Sequence, residues 1–112
     1  MDFLRIKNND VVLLQVNLVR ASLKEVDQFR NILTKDIQSG EKKFVVDLSK
    51  CEFVDSTFLG TLVISLKRLT AFGGDIKLVG FQPAVSSMLE LTRMSKVFES
   101  FTSSEAAIRS FN

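Results

Sequence analysis

The chain contains no histidine, no tryptophan and no tyrosine, and it has one cysteine and one proline. Each of these absences excludes something. Without histidine, the commonest general base and the usual transition-metal ligand are missing. A lone Cys51 cannot form an intrachain disulfide, and with no histidine to activate it there is no Cys–His nucleophile; inside an apolar stretch it reads as a small core residue. All the aromatic residues are phenylalanines, ten of them, so none carries a polar handle and they point to a core or a dry interface. No apolar run approaches the roughly 20 residues that a membrane helix needs, and Met1–Arg5 has no long apolar stretch of a leader, so a cytoplasmic location is the expectation, without membrane insertion. There is no Gly-rich phosphate loop and no catalytic constellation; the residues give no reason to expect an enzyme or a cofactor.

What is present is ordinary for a globular protein. The 46% apolar fraction of the 112 residues excludes disorder and suits one domain, residues 1–112, with one modest core. A formal charge of +2, from basic residues scattered singly, gives no polyanion-binding patch, so nucleic acid is not an expected partner. The charges of Arg20, Lys24 and Arg30 read as a solvated face.

Periodicity supplies the elements. Phe3–Lys7 alternates, with Leu4 and Ile6 against Arg5 and Lys7. Asn8-Asn9-Asp10 is a turn signal, and Val11–Val16 is a nearly continuous apolar run, so an antiparallel hairpin opens the chain, its second strand the more buried. Ser22-Leu23-Lys24-Glu25 is a capping box, in which Ser22 caps the third helical N–H. The helix after it carries Leu23, Val26, Leu33 and Ile37 on one stripe, with Phe29 and Arg30 at its edges, and ends at Gly40. Lys43–Leu48 is a buried strand. A helix from about Ser56 to Phe72 has the stripe Leu59, Leu62, Val63, Leu66 and Leu69, and Gly73-Gly74 stops it. Asp75–Val79 is a strand, and Pro83 opens a short helix with Val85, Met88, Leu89 and Thr92 inward. Val97–Phe101 is either an edge strand or an extended connection. Thr102-Ser103-Ser104-Glu105 is a second capping box before a terminal helix. After the hairpin, strands alternate with helices, and crossovers of that kind force parallel pairing. The fold class is α/β: a small mixed sheet opened by a hairpin, with about four helices.

The segment Asp47–Gly60, DLSKCEFVDSTFLG, is the most informative. It joins a strand to a helix and places Asp55, Ser56 and Thr57 at the helix start. Either Asp55 or Ser56 simply caps the helix, or the hydroxyl carries a phosphoryl group where backbone N–H groups and the helix dipole favour negative charge. The outward face of this helix adds Thr61, Ile64 and Arg68. Phe58 either packs inward near Leu69 or stands outside as an anchor for a partner.

Asp47-Leu48-Ser49, Phe53-Val54-Asp55-Ser56-Thr57 and Leu59-Gly60 resemble the signature of the STAS domain, which includes the bacterial anti-sigma-factor antagonists, and the order of elements agrees along most of the chain. Two positions depart from the family pattern: Phe58 stands where a glycine is usual, and Asn17–Ala21 lacks the Gly and Asp of a G-x-L-D segment. The resemblance implies a phosphorylation-switched binding module rather than an enzyme. Ser56 would be the phosphoacceptor and Thr57 the runner-up. The partners would be an anti-sigma factor with ATP-dependent serine kinase activity and a PP2C-type phosphatase, and the partner-binding residues would be Asp55, Ser56, Thr57, Phe58, Thr61, Ile64 and Arg68. A sigma factor would be released when the unmodified chain sequesters its partner. The alternative implied by the family is an accessory subunit of a lipid or anion transporter complex in a membrane.

Overall fold

A computed structural model describes residues 1–111. The opening hairpin is β1 (Phe3–Asn8) and β2 (Val11–Val16), paired antiparallel around Asn9, whose φ of 56° makes the tight turn. Then follow β3 (Arg20–Ala21), α1 (Leu23–Gln38), β4 (Lys43–Asp47), β5 (Phe53–Val54), α2 (Ser56–Thr70), β6 (Asp75–Val79) and α3 (Pro83–Leu91). A 3-10 turn, Met94–Lys96, leads into β7 (Ser100–Phe101) and α4 (Ser104–Arg109). The main sheet runs β1-β2-β4-β6-β7, parallel except for β1, so the segment from Val97 to Phe101 ends in an edge strand. A mixed α/β sheet with four helices is what the alternation of patterns requires.

The runs VVLL in β2 and FVV in β4 are continuous because both faces of these strands are covered. On one face Val12, Leu14, Val16, Phe44, Val46, Ile76 and Leu78 meet α1, α2 and α3. On the other, Val11, Leu13, Val45 and Val79 meet α4 through Ala107. Lys77 lies on that second face, with Nζ 2.6 Å from the Ser110 hydroxyl and 4.2 Å from the Phe111 ring centroid, so its buried stem and charge pin the C-terminal helix. β1 lies at the edge and buries only Phe3. Leu4 and Ile6 are partly exposed, while Arg5 turns to the helical face and grips the buried Asp36 of α1 with two hydrogen bonds, 2.8 and 2.9 Å.

The two helical stripes differ from their sequence expectations. In α1, Leu23 is exposed and Phe29 is fully buried; the inner face is Val26, Phe29, Leu33 and Asp36. The first turn overhangs the sheet, so the contact begins one turn later. In α2 the buried face also takes in Phe58, Thr61 and Ser65, because α1 packs along its side, and Val63 is only half-buried. The Ser22–Glu25 capping box is present as expected, with Ser22 N–H donating to Glu25 Oε1 at 3.1 Å, and the Ser22 hydroxyl also accepts from the second helical amide, Lys24, at 3.4 Å. At α4 the cap is Ser103, which accepts from Ala106 N–H, rather than Thr102. In α3, Val85 and Leu89 are buried and Thr92 is exposed at the C-cap. The two-residue parallel ladder β3–β5 is too short to leave a pattern in the sequence, yet it positions the site.

Candidate functional site

The site is built at the carboxyl ends of the strands. Asp47 ends β4 and folds the next turn: its Oδ1 accepts from Ser49 N–H at 2.9 Å and from the Ser49 hydroxyl at 2.6 Å, and its Oδ2 accepts from Ser104 at 3.2 Å. Ser49 packs against Gly80, whose φ is +67°; a Cβ there would lie 2.5 Å from the Ser49 Cβ, so this crossing requires glycine. Leu48 and Cys51 are fully buried beneath the turn. The chain then runs beside β3, where Glu52 and Phe53 donate to the Val19 carbonyl and Asp55 N–H donates to Ala21 at 3.0 Å. Arg20 lies 4.5 Å over the Phe53 ring, a closer engagement than a merely solvated charge.

Burial, with the Asp47 charge in second place, pushes the Cys51 thiol from its ordinary 9.0 up to about 11. The folded state therefore holds a proton that the unfolded chain loses between pH 9 and 11, and stability falls as pH rises through that window. Two pKa units correspond to at most about 3 kcal/mol. Urea unfolding at pH 8 and pH 10.5 checks this: Cys51→Ala should lose less stability between the two than the wild-type chain. Equal losses would overturn the assignment.

Asp55 resolves the question of the cap. Its Oδ1 accepts from Phe58 N–H at 2.9 Å, the N-cap bond of α2, and its Oδ2 accepts from Leu23 N–H, also at 2.9 Å, at the start of α1. One carboxylate thus ties together the first turns of two helices. Ser56 and Thr57 follow as the first two helical residues, both exposed. The positive end of the α2 dipole lies at Ser56, no acidic residue stands in its first turn, and Lys67 and Arg68 sit at the opposite end.

The other expected site residues divide between surface and interior. Ile64 is 62% exposed, about 12 Å along the helix from Ser56. Arg68 is exposed near the far end, donating to the Thr34 hydroxyl of α1 at 3.3 Å. Thr61 is buried, donating to the Thr57 carbonyl at 3.2 Å. Phe58 is entirely buried, its ring centroid 4.3 Å from that of Phe29 and 6.5 Å from that of Phe3. As contacts for a partner, Phe58 and Thr61 are corrected: the packing of α1 against α2 covers both. Leu23 is the residue that its stripe position concealed. It is 67% exposed beside Asp55, and Val19, 58% exposed, lies on the neighbouring strand approach. The capping box carried the signal for Leu23, since it makes this the first helical residue, before the helix reaches the sheet. No cluster of three metal-ligating side chains occurs among the described residues, and no helix among them is long and apolar enough to cross a membrane.

The family model described as the STAS domain matches residues 21–107. A protein of Bordetella bronchiseptica assigned as the anti-sigma factor antagonist BtrV is 26% identical over 85 residues, which cover 76% of this chain and 73% of that protein. A Thermotoga maritima crystal structure, likewise assigned as an anti-sigma factor antagonist, superposes with a TM-score of 0.89 at 25% identity, covering 96% of this chain and 92% of the other. The fold is also shared with the Bacillus cell fate determinant SpoIIAA, an anti-sigma factor antagonist solved in unphosphorylated and phosphorylated forms. The TM-scores are 0.77 and 0.76 at 16% and 18% identity, covering 96% of this chain and 94% and 97% of the respective SpoIIAA chains. With its family match spanning well over half the residues, this chain belongs to the STAS domain family.

Proposed function

We propose that this chain, residues 1–112 acting as one module, is an anti-sigma-factor antagonist whose grip on an anti-sigma factor is switched by phosphorylation of Ser56. The observation that carries this reading is the division of labour at the start of α2. Asp55 does the capping, so the exposed Ser56 hydroxyl can accept a phosphoryl group without dismantling the helix start. Relatives assigned as antagonists, and the existence of a phosphorylated form of SpoIIAA, support it.

The partner, in this reading, is an anti-sigma factor with ATP-dependent serine kinase activity. The Ser56 oxygen attacks the γ-phosphorus of ATP, the new O–P bond replaces the bond to the β-γ bridging oxygen, and ADP leaves. The hydroxyl proton passes to a base on the kinase. A PP2C-type phosphatase reverses the modification with water, giving inorganic phosphate. The added charge, about −1.5 to −2 at neutral pH, sits on a surface that the partner must cover. Ile64, Arg68 and Thr57 on α2 belong to that surface.

The test is incubation with the candidate partner kinase and ATP, followed by peptide mass spectrometry. One phosphoryl group on Ser56, lost in Ser56→Ala, is expected. Modification confined to Thr57, or of neither hydroxyl by a kinase that binds the chain, would overturn the assignment.

A further inference from the structure

The double role of Asp55 has no place in capping α2 alone, since a serine or asparagine would serve that helix as well. Its second oxygen serves α1. Around the start of α1 the Ser22 carbonyl accepts from Glu25 N–H at 3.0 Å and the Ser22 hydroxyl from Lys24 N–H at 3.4 Å. Leu23 N–H is held by Asp55, at 2.9 Å, across 32 residues of sequence. The residue next to this carboxylate is Ser56, and the side chain at the end of the bond is Leu23, one of the large exposed apolar groups of the molecule.

We propose that Asp55 transmits the modification state of Ser56 to the first turn of α1, so that phosphorylation alters the docking surface at Leu23 as well as its charge. The inference rests on Ser56 being the phosphoacceptor. A phosphate dianion on the adjacent residue repels the Asp55 carboxylate and competes with it for the N-terminal amides of α2. The carboxylate relieves this repulsion by turning away, and doing so gives up the bond to Leu23 N–H. The fold survives, because the inner face of α1 begins only at Val26. What loosens is the turn that presents Leu23.

The experiment needs no kinase. Phosphoserine is installed at position 56 during synthesis by genetic code expansion, and amide hydrogen exchange is followed residue by residue by NMR. Exchange at Leu23 should rise roughly tenfold over the unmodified chain, the scale of one lost hydrogen bond to a charged group, with the central-strand amide of Val45 unchanged. In Asp55→Asn, the amide oxygen still caps Phe58 N–H, but an NH2 group faces Leu23 N–H. Leu23 exchange should be raised in this variant before modification, and phosphoserine should add nothing further. Unchanged or slower exchange at Leu23 in the phosphorylated wild-type sequence overturns the proposal, whether or not the variant folds. An equal increase in both backgrounds assigns the effect to the phosphate directly and also overturns it. A kinase that modifies Ser56 without any response at Leu23 rejects this coupling alone. A response at Leu23 with no modification by the kinase rejects the acceptor reading alone.

Discussion

Phe58→Ala is expected to cost the domain about 3–5 kcal/mol, the range for truncating a buried phenylalanine. The ring is fully buried and stacks on Phe29, with an angle of 16° between planes, and Phe3 completes a cluster drawn from β1, α1 and α2. These elements come from distant parts of the chain, so the cavity would lie at their common junction, where collapse to fill it is hardest. A small domain commonly has only about 5–15 kcal/mol in total, so the variant should unfold at much lower urea with an unchanged slope. Phe58→Gly should lose up to about 1 kcal/mol more, from the helix cost of glycine. Wild-type stability in Phe58→Ala would contradict the packing. A partner measured against the folded fraction of this variant should bind with nearly unaltered affinity, because the ring is covered.

Phe58 also shows what was legible in the sequence and what was not. Its wheel position bordering the core stripe pointed inward, but toward Leu69; its actual partners, Phe29 and Phe3, depend on how α1 lies across α2 and β1. The same packing hides Thr61, which a single helical wheel places outside. Periodicity is a property of one element, whereas burial at its flanks belongs to two. Parallel pairing followed from alternating strand and helix patterns, and the hairpin from its polar turn, whereas the strand order β1-β2-β4-β6-β7 had no signal in the residues themselves. The β3–β5 ladder, two residues long, is below the length at which alternation exists. At the site, Asp55 was recognisable as a cap of its own helix, since capping is local. Its bond to Leu23 joins residues 32 apart and had no sequence signal. The burial of Cys51 was legible from its apolar neighbours; that of Asp36 was not, because its pairing with Arg5 is non-local.

Ser56→Asp should weaken partner binding more than a hundredfold, while the thermal midpoint stays close to that of the wild-type chain. The two halves of this expectation have separate causes. A carboxylate at the first position of α2 meets the positive end of the helix dipole, worth about 0.3–1 kcal/mol in its favour, and repulsion from Asp55 offsets part of this. Ser56 is exposed and holds no core contact, so the interior is untouched. At the interface the balance reverses. A surface fitted to a neutral hydroxyl would desolvate the new charge without pairing it, and a loss of about 3 kcal/mol corresponds to the stated factor. Raising the salt concentration should recover only part of the loss, since screening removes long-range repulsion but not desolvation. Ser56→Ala is the control: it should bind its partner as the unmodified chain does and remain bound when ATP is supplied, having no hydroxyl to modify. Calorimetric titration of the three proteins against the partner, with a thermal scan of each, separates the possibilities. Equal affinity for Ser56→Asp and wild type would defeat the charge switch. A collapsed midpoint in Ser56→Asp would mean that the start of α2 does not tolerate a negative charge, and the folded module could not then persist in a phosphorylated state.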